Sequence, residues 1–143
     1  MKKYQPSIEE IDQKLDQTIK QKFSSGYMSN KKWVKLIDTF VENAELIKRV
    51  EIKKVLEEKI GLIFISENLQ YEFDYWNIGF EGVNSFGGWL LYKEIEFLKF
   101  PAKFQNENSY QEQDLIEIKE IINKIGVFEM TDQNDELILF CYK

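Results

Sequence analysis

Residues 87–101, GGWLLYKEIEFLKFP, decide the reading of this chain. They interleave apolar and charged side chains at the spacing of an extended strand, where successive side chains point to opposite faces. Trp89, Leu91, Ile95 and Phe97 fall on one parity, and Leu90, Tyr92, Leu98 and Phe100 on the other. Both faces therefore carry bulk, which places the strand in the middle of a sheet. Gly87 and Gly88 allow a tight start, and Pro101, lacking an N–H for a ladder, marks the end.

Working outward, residues 71–75 (YEFDY) alternate aromatics with acids, and residues 76–80 continue the strand with a bulge expected at Gly79. Residues 82–85 supply the Gly and Asn of a linking loop, so this stretch is expected to form a hairpin with 87–101. That pairing would bring Glu72 and Asp74 beside Glu94 and Glu96, in an acidic patch bordered by Trp76, Trp89 and Tyr92. Aromatic anchors supply binding energy at protein interfaces and acids steer a basic partner, so these seven residues form the candidate binding site.

The rest of the chain reads as three helices and further strands. Ser7 and Glu10 form a capping box ahead of a narrow stripe of Ile8, Ile11, Leu15, Ile19 and Phe23, closed at Gly26. Asn30 is the expected cap of a second helix, whose wider apolar face carries Trp33, Leu36, Ile37, Phe40, Val41 and Ala44. Residues 48–56 and 62–65 read as strands. Ser109 and Glu112 make a second capping box, before a helix with Leu115, Ile118, Ile122 and Ile125 on one face. Residues 127–130 and 136–140 are expected to pair as a closing hairpin. The fold class is α+β, a single antiparallel sheet with about three helices packed on it. Residues 1–27 read as an N-terminal helical extension ahead of one domain spanning 28–143.

Composition narrows the function. The 143 residues are 43% hydrophobic and 15% aromatic, enough for one core. A net charge of -6 argues against nucleic-acid binding, which needs clustered Lys and Arg to neutralise phosphates, and leaves a basic protein as the easier partner. The opening MKKYQPSIEEID has no apolar h-region, no apolar run is long enough for a membrane span, and the single Cys141 sits among Leu139, Phe140 and Tyr142. A cytoplasmic protein without membrane contact is expected.

The chain contains no histidine, which removes Ser-His and Cys-His nucleophilic pairs and most catalytic zinc sites. No Walker A or GxGxxG sequence is present, and no cofactor is expected. For an enzyme, what remains is Glu51-Ile52-Lys53 with Asp38 as a second carboxylate, the residue types of a metal-dependent phosphodiester hydrolase. Glu117 and Lys119 repeat the pattern on the third helix, where they are a solvated face.

Lys32-Trp33 at a helix start, the strand at 91–97 (LYKEIEF), the turn at 125–128 (IGVF) and the closing 137–142 (LILFCY) together resemble a family of small bacterial proteins without a settled activity. The likeness covers about residues 28–143, with Phe97 where that family more often has Trp and Cys141 where it more often has Gly. It implies a fold and a bacterial origin, and carries over no functional residues. The function expected from these readings is non-catalytic protein binding of the immunity or antitoxin type. The alternatives are the hydrolase and a structural homodimer joined through a sheet edge.

Overall fold

The computed structural model describes residues 8–67, 70–76 and 90–143. In chain order its elements are α1 (Ile8–Lys22), α2 (Asn30–Glu42), β1 (Val50–Lys54), β2 (Ile60–Ile63), β3 (Tyr75–Trp76), β4 (Leu90–Leu91), a 3-10 turn at Tyr92–Glu94, β5 (Ile95–Pro101), β6 (Lys103–Asn106), β7 (Ser109–Glu112), α3 (Leu115–Asn123), β8 (Glu129–Gln133) and β9 (Glu136–Phe140). Five strands form an antiparallel sheet in the order β2-β1-β5-β9-β8, and β3-β4 and β6-β7 form two separate two-stranded ribbons. The α+β class holds, with two small ribbons added to the expected sheet.

The deciding stretch does lie at the centre, but not as one strand. The 3-10 turn at Tyr92–Glu94 divides it: β4 pairs with β3, while β5 joins the large sheet between β1 and β9. The Glu94 carboxylate accepts the Leu91 N–H at 2.9 Å, holding the turn closed from within. Among the described residues the hairpin pairing is Tyr75 with Leu91 and Trp76 with Leu90, and the expected pairing does not extend into 95–101, which lies between β1 and β9. Gly79, the loop at 82–85, Gly87, Gly88 and Trp89 lie outside the described residues, as does the Ser7 cap.

The core occupies one face of the sheet. Trp33, Leu36, Ile37 and Phe40 from α2, with Leu115, Ile118 and Ile122 from α3, meet Val50, Ile52, Leu98, Phe100, Leu137 and Leu139. Phe40 stands edge-on to Phe100 at 5.8 Å, and Trp33 stacks on Tyr92 at 5.4 Å. Side chains of this size each gain roughly 1.5–3 kcal/mol on full burial, so this layer is the main source of stability.

Caps and turns explain where the boundaries moved. Ser29, not Asn30, caps α2, accepting the Lys32 N–H at 3.2 Å. Ser109 and Glu112 belong to β7 instead of a helix start, because the chain reverses at Glu107, with φ 53, and zips β6 to β7. α3 begins later, where Asp114 accepts the N–H groups of Ile116 and Glu117 at 3.0 and 3.1 Å. The closing hairpin is tighter than expected: Gln133 pairs with Glu136 across Asn134 and Asp135, at φ 55 and 58, the type I′ geometry that matches strand twist.

Gln113, just before α3, braces this layout. Its buried amide accepts the N–H groups of Lys48 and Arg49 at 3.0 and 3.2 Å, and donates to the carbonyls of Arg49 and Pro101 at 2.9 and 2.8 Å. Both ends of the side chain are thereby satisfied, and the approach to β1 is tied to the end of β5.

The described part of the 1–27 segment packs closely on the rest. Leu15 is fully buried with Val55, and Ile11, Ile19, Phe23, Leu56, Leu91 and Tyr142 surround them. Phe23 stacks on Tyr142 at 4.8 Å. Backbone bonds run from Ser24 N–H to Lys143 O at 2.8 Å, from Tyr27 N–H to Cys141 O at 2.9 Å and from Lys143 N–H to Ser25 O at 2.8 Å. A boundary at Met28 would strip this cover from Val55 and Tyr142. Cys141 is itself buried against the main core, which pushes its thiol well above the ordinary range.

Leu15→Ala is expected to lower the unfolding free energy by about 2–4 kcal/mol, through lost burial and the cavity left behind. Urea denaturation checks this, and a midpoint equal to that of the parent would mean that α1 is not part of the folding unit.

Candidate functional site

Strand alternation leaves the second face of the sheet without a helix layer among the described residues. The register places Phe97 opposite Lys53 and Phe140, Lys99 opposite Glu51 and Ile138, and Thr131 and Glu129 opposite Ile138 and Phe140. These side chains point away from the Val50, Ile52, Leu98, Phe100, Leu137 and Leu139 face, because neighbours along a strand alternate. Phe97, Ile138 and Phe140 are half-buried, and none of them joins either core cluster. Phe97 and Phe140 meet edge-on at 6.2 Å. The result is an aromatic and aliphatic patch on a rigid surface.

Charge is distributed unevenly around it. Glu96, left opposite no β1 residue by the register shift at Lys53 and Lys54, binds Lys22 at 2.8 Å and Lys53 at 3.0 Å. Glu51 binds Arg49 at 2.8 Å and Lys99 at 3.6 Å, and Lys99 also reaches Glu136 at 3.6 Å. The cations on this face are thus matched by acids. The β8–β9 hairpin instead carries Glu129, Asp132, Asp135 and Glu136, with no Lys or Arg between Ile125 and Tyr142. Among the described residues, no ion pair engages Glu129, Asp132 or Asp135. One border of the apolar patch is therefore acidic.

Of the seven residues singled out in the sequence, the five whose side chains are described, Glu72, Asp74, Tyr92, Glu94 and Glu96, do not share one surface. Tyr92 is buried under Trp33, with its hydroxyl donating to the Glu72 carbonyl, and burial pushes its phenol well above the ordinary range. Glu94 is buried in the 3-10 turn. Glu96 lies on the other side of that turn, held by its two lysines. Glu72 and Asp74 are exposed, and their backbone carbonyls accept the Tyr92 hydroxyl and N–H. The Trp76 side chain and Trp89 lie outside the described residues. The expectation assumed an unbroken parity through 87–101, and the turn removes that parity. Conversely, Phe97, Ile138 and Phe140 lie outside those seven, although the continuous apolar run at 137–140 signals a strand with bulk on both faces.

The hydrolase residues are separated in the same way. Asp38 lies on α2, on the core side of the sheet, where it accepts the Tyr71 hydroxyl; burial and this bond push Tyr71 up to about 12. Glu51 and Lys53 face the opposite side and are engaged in the ion pairs above. No group of three His, Cys, Asp or Glu that could hold a metal ion occurs among the described residues. A cleft of about 690 Å³ lies beside Glu45, Lys48, Glu112, Gln113 and Asp114, but its amide, Gln113, is already satisfied by backbone. No helix among the described residues is long and apolar enough to cross a membrane.

Comparisons with models of protein families, with curated proteins and with solved structures find no match to this chain.

Burial alone would raise the Glu96 pKa, but hydrogen bonds from Lys22 and Lys53 outweigh it and hold the carboxylate below its ordinary 4.5. The bond to Glu96 in turn raises Lys22. A depressed carboxylate contributes stability above the unfolded value and loses it as pH falls through the folded one. The thermal unfolding midpoint is therefore expected to fall below about pH 4.5, and Glu96→Gln should flatten that limb. At the alkaline end, burial pushes Tyr142 up to about 12, so its contribution is present below 10 and is lost as pH rises towards 12. An acid limb equally steep in Glu96→Gln would assign the effect to other carboxylates.

Proposed function

We propose that this chain is a non-catalytic binding protein of the immunity or antitoxin type, acting in a bacterial cytoplasm, and that the sheet face bearing Phe97, Ile138 and Phe140 receives a basic protein partner. The observation that carries the reading is the patch of Phe97, Ile138 and Phe140, which lies outside both core clusters and is bordered by the acidic β8–β9 hairpin. Aromatic groups at the centre of a patch, with charge at the rim, are the arrangement in which burial supplies affinity and electrostatics supplies rate and selection. The net charge of -6 favours a basic protein over a nucleic acid as that partner. The separation of Asp38 from Glu51 and Lys53 takes support from the hydrolase alternative.

Capture from a bacterial lysate on the immobilised protein is expected to retain a basic protein that elutes between roughly 0.1 and 0.5 M salt. The double variant Phe97→Ala with Phe140→Ala should fold, because neither ring joins the core clusters. It should weaken binding by about 2 kcal/mol or more, a loss readable by calorimetry on the purified pair. Retention equal in parent and double variant, or no basic protein retained by either, would refute the reading.

A further inference from the structure

The two edges of the five-stranded sheet differ. β8 is one edge and shows Glu129, Asp132 and Gln133 to solvent, the charged and polar side chains that discourage strand addition. β2 is the other edge, and residues 60–65 (IGLIFI) carry no charge at all. Ile60 is 37% exposed and Phe64 57% exposed, on the same parity as Leu62. Among the described residues, the outer side of β2 has no strand beside it, and Phe64–Glu67 takes part in no ladder. An apolar edge of this kind is a template for a further strand.

We propose that the strand it takes is β2 of a second copy of this chain, running antiparallel about a two-fold axis at Ile63. A pairing of identical surfaces closes on itself, whereas docking of β2 onto the β8 edge of another copy would propagate without end. The flanking charges choose the register. Centred on Ile63, Leu62 lies opposite Phe64, and exposed Lys59, at the bend before β2, comes to the end of the ladder where exposed Glu67 opens a turn in the other copy. Opposite charges placed directly across a ladder are favourable and like charges are not. Moving the centre towards Leu62 would instead bring Glu58, from the loop before β2, towards Glu67 at that same end. The composition of the edge thus specifies both the partner and the alignment, and joins two five-stranded sheets into one. This contact leaves Phe97, Ile138 and Phe140, three strands away around Phe140, open for a separate partner.

Sedimentation velocity tests this on the intact chain. A species of twice 17.1 kDa is expected to grow in as concentration rises into the range of about 10–200 µM. Lys59→Glu and Glu67→Lys, both at exposed positions, should each raise the dimer dissociation constant about tenfold, and the double exchange should restore it. Leu62→Lys should abolish the dimer with the circular dichroism of the fold retained. Phe97→Ala with Phe140→Ala should dimerise as the parent does, which separates this contact from the binding face. A single 17.1 kDa species at about 200 µM would overturn the proposal. So would a dimer indifferent to Leu62→Lys, or a double exchange no tighter than the single ones.

Discussion

The structure depends on one constraint: β5 is hydrogen-bonded along both of its edges, to β1 on one side and β9 on the other. A strand so placed has only its two faces left to bury, and alternation divides its side chains between them. Leu98 and Phe100 meet α2 and α3, whose apolar stripes are wide enough to seal that side. Phe97 and Lys99 are committed to the other side, where α1 packs its apolar residues on Val55, Leu56, Leu91 and Tyr142 and reaches Glu96 through Lys22. Three helices are too few to sheathe both faces of five strands. Among the described residues, the half-buried patch of Phe97, Ile138 and Phe140 is thus a product of the architecture and not of any single residue.

The ion pairs on that face contribute position more than energy. Exposed pairs are generally worth less than about 1 kcal/mol, and Lys22 is largely in solvent. Lys53 is different, because its side chain is only 10% exposed and a cation withdrawn from water needs a matching anion. Glu96 supplies it, and the register shift in β5 puts Glu96 where Lys53 and Lys22 can both reach it. The centre of the face is therefore close to neutral while its hairpin border keeps its negative charge.

Much of the fold was legible, because hydrophobic periodicity is a strong signal wherever one side of an element is buried. The stripes through Leu15 and Ile19, through Trp33 and Phe40, and through Ile118 and Ile122 all coincide with real helices, and residues 48–56 do contain a strand. Errors fell where short-range hydrogen bonds decided the outcome. Tyr92–Glu94 keeps the alternation of a strand while the Glu94 carboxylate folds it into a turn. Ser109 and Glu112 have the spacing of a capping box, yet pairing with Lys103 and Asn106 claims them for a ribbon. The site was less legible for a different reason. Periodicity marks Phe97 and Phe140 as apolar, but whether a helix lies over them is settled by tertiary packing, which no local pattern records.

Cys141 also fixes how opening of this molecule can be observed. The thiol is sealed where the last strand meets the chain at Tyr27, so a maleimide can reach it only when that junction parts. The rate at which the single thiol is alkylated is then a clock for the release of residues 24–27 from residues 141–143, obtained without introducing a cysteine.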